Sequence, residues 1–222
     1  MVRAPPPGVN TLGVLVNAAQ LPHRDLGSRG FRTSDLHALA NGGSRFELIE
    51  GCIVLSPPPV AAETAVCQWL ANTFEIANRG SPLVVDRGQP VRIGEYDEVR
   101  PDIVVAHVSL AETTPIPVEA LALVVEVVSP SSVLRDIMTK RALYARAGVP
   151  AYWTVIPRGD PPGLVVTELR RDESTAVYVE RTPATSSTFS TDHPWRITLD
   201  VPAFAAPWSA SASHAAGNEE VV

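Results

Sequence analysis

The sequence predicts an α/β fold in which a mixed central β-sheet is flanked by helices. Three observations predict it. Residues Leu121–Val128 are apolar on both parities apart from one acid, which requires a strand covered on both faces. Two stretches, 61–78 and 136–147, carry apolar residues near helical spacing. Phe46-Glu47-Leu48-Ile49 and Cys52-Ile53-Val54-Leu55 flank Glu50-Gly51 in the pattern of a tight hairpin.

In chain order, Thr33 or Ser34 caps a short helix through Leu39 and Ala40, which Asn41-Gly42-Gly43 ends. The hairpin follows and Pro57-Pro58-Pro59 closes it. The first long helix sets Ala62, Val66, Trp69, Leu70, Phe74 and Ile76 toward one face, with Gly80 as its stop. Leu83-Val84-Val85, Pro90–Ile93 and Asp102–Ala106 read as short strands ahead of Leu121–Val128, which Pro130 ends. The helix Asp136–Ala147 turns Ile137, Leu143, Tyr144 and Ala147 to the core and stops at Gly148. Ala151–Ile156, Leu164–Glu168 and Ala176–Glu180 read as the remaining strands.

With 222 residues, one domain over 31–205 is the simplest division. It lies between a flexible N-terminal arm over 1–30, rich in Pro and Gly, and a flexible, small and polar C-terminal tail over 206–222. A net charge of −6 gives the molecule no general attraction for a polyanion, so binding a nucleic acid requires a local basic groove or a bound cation. Cys52 and Cys67 form neither a disulfide framework nor a C-x-x-C pair, and the five histidines lack ligand spacing, which argues against a zinc site. No uncharged apolar run approaches the roughly 18 residues needed to span a bilayer, so a cytoplasmic protein outside the membrane is expected. The chain carries no G-x-S-x-G elbow, Walker loop or G-x-G-x-x-G.

Glu126 is the anomaly. A lone carboxylate inside a strand covered on both faces must take up a proton or find a cation. Asp102, at the head of Ile103-Val104-Val105, poses the same problem. If the two strands are neighbours, a divalent ion resolves the repulsion, and hard oxygen ligands suit Mg²⁺ or Mn²⁺. A buried ion pair of Glu126 with Arg100 or Arg135 is the competing reading. The chain has 17 Arg but a single Lys, Lys140, which either marks a position where Arg cannot substitute or survives by chance. Asp136 and Lys140 stand at i, i+4 on the helix after the Glu126 strand. There the ammonium either orients or deprotonates a water and offsets transition-state charge, or it forms an ordinary surface pair worth a few tenths of a kcal/mol.

Phe46–Gly51, Arg100–Val105, Val125–Ser132, Asp136 with Lys140 and Arg141, and Tyr144–Trp153, taken in this order, resemble the Uma2 family, also called DUF820, of the PD-(D/E)XK nuclease superfamily. The resemblance covers roughly residues 31 to 205 and implies a restriction-endonuclease-like core. It implies a metal-dependent endonuclease hydrolysing DNA phosphodiester bonds with Mg²⁺ or Mn²⁺. Asp102 and Glu126 would be the metal ligands, with the Val127 carbonyl completing the set, Glu47 acting through water, and Lys140 as the catalytic lysine. The superfamily's usual lysine position, two residues after the glutamate, is Val128 here. The alternative is a catalytically inactive nuclease-fold protein acting as a binding or oligomeric assembly module. Many relatives of the fold work as dimers, so a homodimer is a further expectation by analogy.

Overall fold

The structure is a computed structural model that describes residues 30–39, 45–56, 58–78, 80–111, 113–130, 132–159 and 162–204. The chain opens with α1 (Thr33–Leu39), the hairpin β1 (Arg45–Ile49) and β2 (Cys52–Ser56), and the long helix α2 (Ala61–Ala77). Four strands follow: β3 (Leu83–Arg87), β4 (Val91–Arg92), β5 (Glu98–Val99) and β6 (Ile103–His107). A short α3 (Val108–Ala111) and β7 (Ile116–Pro117) lead into β8 (Leu121–Val127). A π-helical segment, Arg135–Lys140, runs directly into α4 (Arg141–Arg146). The strands β9 (Ala151–Gly159), β10 (Pro162–Asp172), β11 (Val177–Thr185), β12 (Phe189–Thr191) and β13 (Ile197–Leu199) complete the order.

The central sheet has the order β11-β10-β9-β8-β6-β3. It is mixed, because β8 and β9 run parallel while the other neighbours run antiparallel. The parallel pair requires a crossover, and the π-helical segment with α4 supplies it. A second sheet, β2-β1-β5-β4-β7, holds the hairpin. Glu50 and Gly51 at its tip have φ of 50° and 75°, the positive pair that a two-residue hairpin turn demands.

Every residue of β8 is buried, as its double parity requires. On one face Leu123, Val125 and Val127 meet Trp153 of β9 and the Val66, Leu70 and Phe74 stripe of α2. Phe74 sets its edge toward Trp153, with ring centroids 5.4 Å apart. On the other face Val124 and Tyr152 lie under Leu143, Tyr144 and Ala145 of α4. Glu126 shares the parity of Val124, and therefore looks toward the element that carries Lys140.

Two expectations need correction. Ile76 is 80% exposed, because it falls off the stripe that Val66, Leu70 and Phe74 define. The helix expected over 136–147 is π-helical in its first half, a wider turn that apolar spacing cannot register. The cations of this segment find separate partners: Lys140 is buried, Arg141 donates to the Tyr178 carbonyl and Arg146 pairs with Glu50. Cys52 and Cys67 are free. Among the described residues no helix is long and apolar enough to cross a membrane. The arm expected over 1–30 lies, but for Gly30, outside the described residues, as does the whole tail expected over 206–222.

Truncating the two side chains that part company on α2 tests this packing. Phe74→Ala is expected to lower the free energy of unfolding in urea by about 3–5 kcal/mol, and Ile76→Ala by no more than about 0.5 kcal/mol. Comparable losses at both positions would contradict the assigned face.

Candidate active site

Strand pairing brings the first two acids together. β6 and β8 pair with Ile103 opposite Val125, so Asp102 and Glu126 are the next residues along the two strands. The Val127 amide donates to Asp102 Oδ2 at 2.8 Å, tying the head of β6 to the end of β8. Glu47 arrives from the second sheet. It sits in β1 opposite Val54, takes the Arg100 amide on Oε1 at 2.7 Å and the Ser56 hydroxyl on Oε2 at 2.9 Å.

Lys140 closes the arrangement from the crossover. Only 2% exposed, its Nζ lies 2.8 Å from Glu47 Oε1 and 3.0 Å from Glu126 Oε1, with Asp136 Oδ1 at 3.7 Å. The Tyr144 hydroxyl donates to the same Glu126 oxygen at 3.2 Å. Asp136 and Lys140 both point inward from the π-helical turn, whose backbone Tyr152 anchors by donating its hydroxyl to the Asp136 carbonyl at 2.7 Å. Of the two readings of this pair, the exposed surface pair does not hold, because both side chains are buried.

These contacts set the protonation states. Burial works against the Lys140 ammonium, but Glu126, Glu47 and Asp136 outweigh it and hold the group above the ordinary lysine range. Burial also raises Glu47, yet the Lys140 charge and hydrogen bond, with the Arg100 amide, leave it below the usual carboxylate value. For Glu126 burial dominates; Lys140 pulls the other way, while Asp102, Asp136 and Glu47 push it further up. Burial lifts Asp102 to about 6 against the Val127 amide and Lys140.

Glu47, Asp102, Glu126, Val127, Asp136 and Lys140 line one cavity of about 310 Å³. All five residues singled out as catalytic or metal-binding in the sequence thus lie together. Neither Arg100 nor Arg135 pairs with Glu126. Arg100 donates its amide to Glu47 and its guanidinium to the Gly88 carbonyl, and Arg135 faces Glu47 and Asp136 at 3.7 and 3.6 Å. Sequence reasoning assigned Tyr144 only to the core and missed its hydroxyl; its i, i+4 spacing from Lys140 is the available signal. Arg45 and Ser56 carried none.

The donor set fits a hard divalent cation. Among the described residues no three His, Cys, Asp or Glu side chains group closely enough to hold an ion by themselves. Mg²⁺ does not need them, since it keeps several waters and binds through one or two carboxylates. Asp102 keeps one oxygen outside its bond to Val127, and burial raises both carboxyls, with Asp136 pushing Asp102 further up and Asp102 pushing Glu126 further up, a cost that a cation relieves.

The mixed sheet and its helical crossover are those of a nuclease-fold protein. A family model, Uma2, described as "Putative restriction endonuclease", matches residues 33–204, and the chain belongs to that family. The fold is similar to the crystal structure of a "putative nuclease belonging to DUF820" from Anabaena variabilis ATCC 29413, with a TM-score of 0.58 and 16% identity over 80% of this chain and 92% of that one. At that identity the likeness is one of fold. No curated protein matches the chain.

Removing the ammonium leaves Glu47 and Glu126 buried without their cation. Lys140→Met is expected to lower stability in EDTA by about 3–5 kcal/mol, and adding Glu47→Gln to restore part of the loss. A change below about 1 kcal/mol in the single variant, the size of an exposed pair, would contradict the buried ion cluster.

Proposed function

We propose that this protein is a metal-dependent endonuclease that hydrolyses DNA phosphodiester bonds. The activity resides in one domain over 31–205 and operates in the cytoplasm, where free cysteines fit a reducing environment. The observation that carries this reading is the convergence, in one cavity, of Asp102 and Glu126 from adjacent strands with Glu47 and Lys140. Membership of a family described as "Putative restriction endonuclease" supports it.

Asp102, Glu126 and the Val127 carbonyl would hold Mg²⁺ or Mn²⁺. Such an ion, when bound, polarises a phosphoryl oxygen and lowers the pKa of a water. Lys140, kept protonated by its three carboxylates, is suited to orient the attacking water and to offset negative charge developing on phosphorus, rather than to take a proton. Glu47 holds that ammonium in place from the second sheet, and the Tyr144 hydroxyl steadies Glu126. A second reading, an inactive nuclease fold that binds a partner or assembles as an oligomer, draws on the net charge of −6.

Asp102→Asn separates the two. The carboxamide oxygen can still accept from the Val127 amide, so the variant is expected to fold while DNA cleavage in Mg²⁺ falls about a thousandfold, in line with a loss of several kcal/mol of transition-state stabilisation. Glu126→Gln is expected to do the same, and EDTA to stop cleavage by the unmodified protein. Failure of that protein to cut any DNA with Mg²⁺ or Mn²⁺, or a folded Asp102→Asn that cuts at the same rate, would overturn the enzyme reading.

A further inference from the structure

The cavity that holds the acids also holds three guanidinium groups that the fold leaves underused. Arg45 opens β1 two residues before Glu47, Arg100 stands two residues before Asp102, and Arg135 begins the π-helical turn; all three line the cavity. Arg45 and Arg100 meet at one glycine. Arg100 Nη1 donates to the Gly88 carbonyl at 2.9 Å, and a Cβ on Gly88 would lie 3.3 Å from Arg45 Nη2. Burial and the nearby Arg45 charge both depress Arg100. Two like charges kept side by side repel unless an anion joins them.

Part of their donor set is unused. The Arg45 side chain makes no hydrogen bond or ion pair among the described residues. The Nε atoms of Arg100 and Arg135 are buried without a hydrogen-bond partner, and Arg135 Nε stops 3.7 Å from Glu47 and 3.6 Å from Asp136. A guanidinium offers five donors in a rigid fork that matches a phosphate bidentately. With a net charge of −6 the molecule as a whole does not draw a polyanion in, so any attraction must be local.

We infer that Arg45, Arg100 and Arg135 form a collar that grips backbone phosphates of a nucleic acid next to the phosphodiester presented to Asp102 and Glu126. This rests on the nuclease reading and adds to it the groups that hold the substrate. Each phosphate contact releases condensed counterions, so each arginine contributes to the salt dependence of binding.

The test is fluorescence anisotropy of a short fluorescein-labelled DNA duplex across a NaCl series, in Ca²⁺, with the probe checked on a gel. Relative to the unmodified protein, Arg45→Gln and Arg135→Gln are each expected to flatten the slope of log K against log[salt] by about 0.9, and the double variant by about 1.8. Arg45→Lys, which keeps the charge, is expected to keep the slope; a merely structural arginine would show no such rescue. If the unmodified protein binds and cuts DNA while Arg45→Gln and Arg135→Gln keep the full slope, the collar is wrong and the nuclease reading stands. If the unmodified protein binds no DNA at all, both fall.

Discussion

A single buried ammonium holds the two halves of this structure in register. Lys140 reaches Glu126 in the central sheet and Glu47 in the second sheet, and no other cation among the described residues contacts both. Burying such a cluster is poor value as stability alone, since well-packed apolar groups would serve as well or better. Its presence therefore points to chemistry. A compact ammonium can sit between two carboxylates in a space where the broad plane of an arginine would force them apart. That accounts for one lysine persisting in a chain that otherwise uses Arg for every side-chain positive charge.

Strand geometry does the rest. Asp102 and Glu126 are consecutive steps beyond the last pair of one antiparallel ladder, so their proximity follows from the register of β6 and β8. The π-helical turn lets Asp136 and Lys140 both face inward, while Tyr144 on the following α-helical turn reaches Glu126. Acid is concentrated where β6 begins and β8 ends, and arginine lines the same cavity, an electrostatic layout that the net charge of the molecule conceals.

Much of this was legible in the sequence because the signals were local. Apolar residues on both parities of Leu121–Val128 required a doubly covered strand and made Glu126 stand out. Glu50-Gly51 between alternating runs specified the hairpin that carries Glu47. The two-residue strands β5 and β7 were not legible: they are too short for a period, and are defined by their pairing with β1 and β4, where Leu48 faces Glu98 and Val91 faces Val99 and Ile116. Nor was the π-helical turn, whose spacing differs from an α-helix by one residue in one place. Arg45 escaped notice, and Arg135 was weighed only as a partner for Glu126, because one Arg among many carries no pattern until the chain folds around it.

The account stands on a cation held jointly by Asp102 and Glu126, and anomalous diffraction from a crystal soaked in Mn²⁺ examines that directly. The account predicts one anomalous peak in contact with both carboxylates and the Val127 carbonyl, absent from Asp102→Asn crystals treated alike. A soaked crystal with no peak in this cavity, or with manganese bound only elsewhere on the molecule, would contradict it.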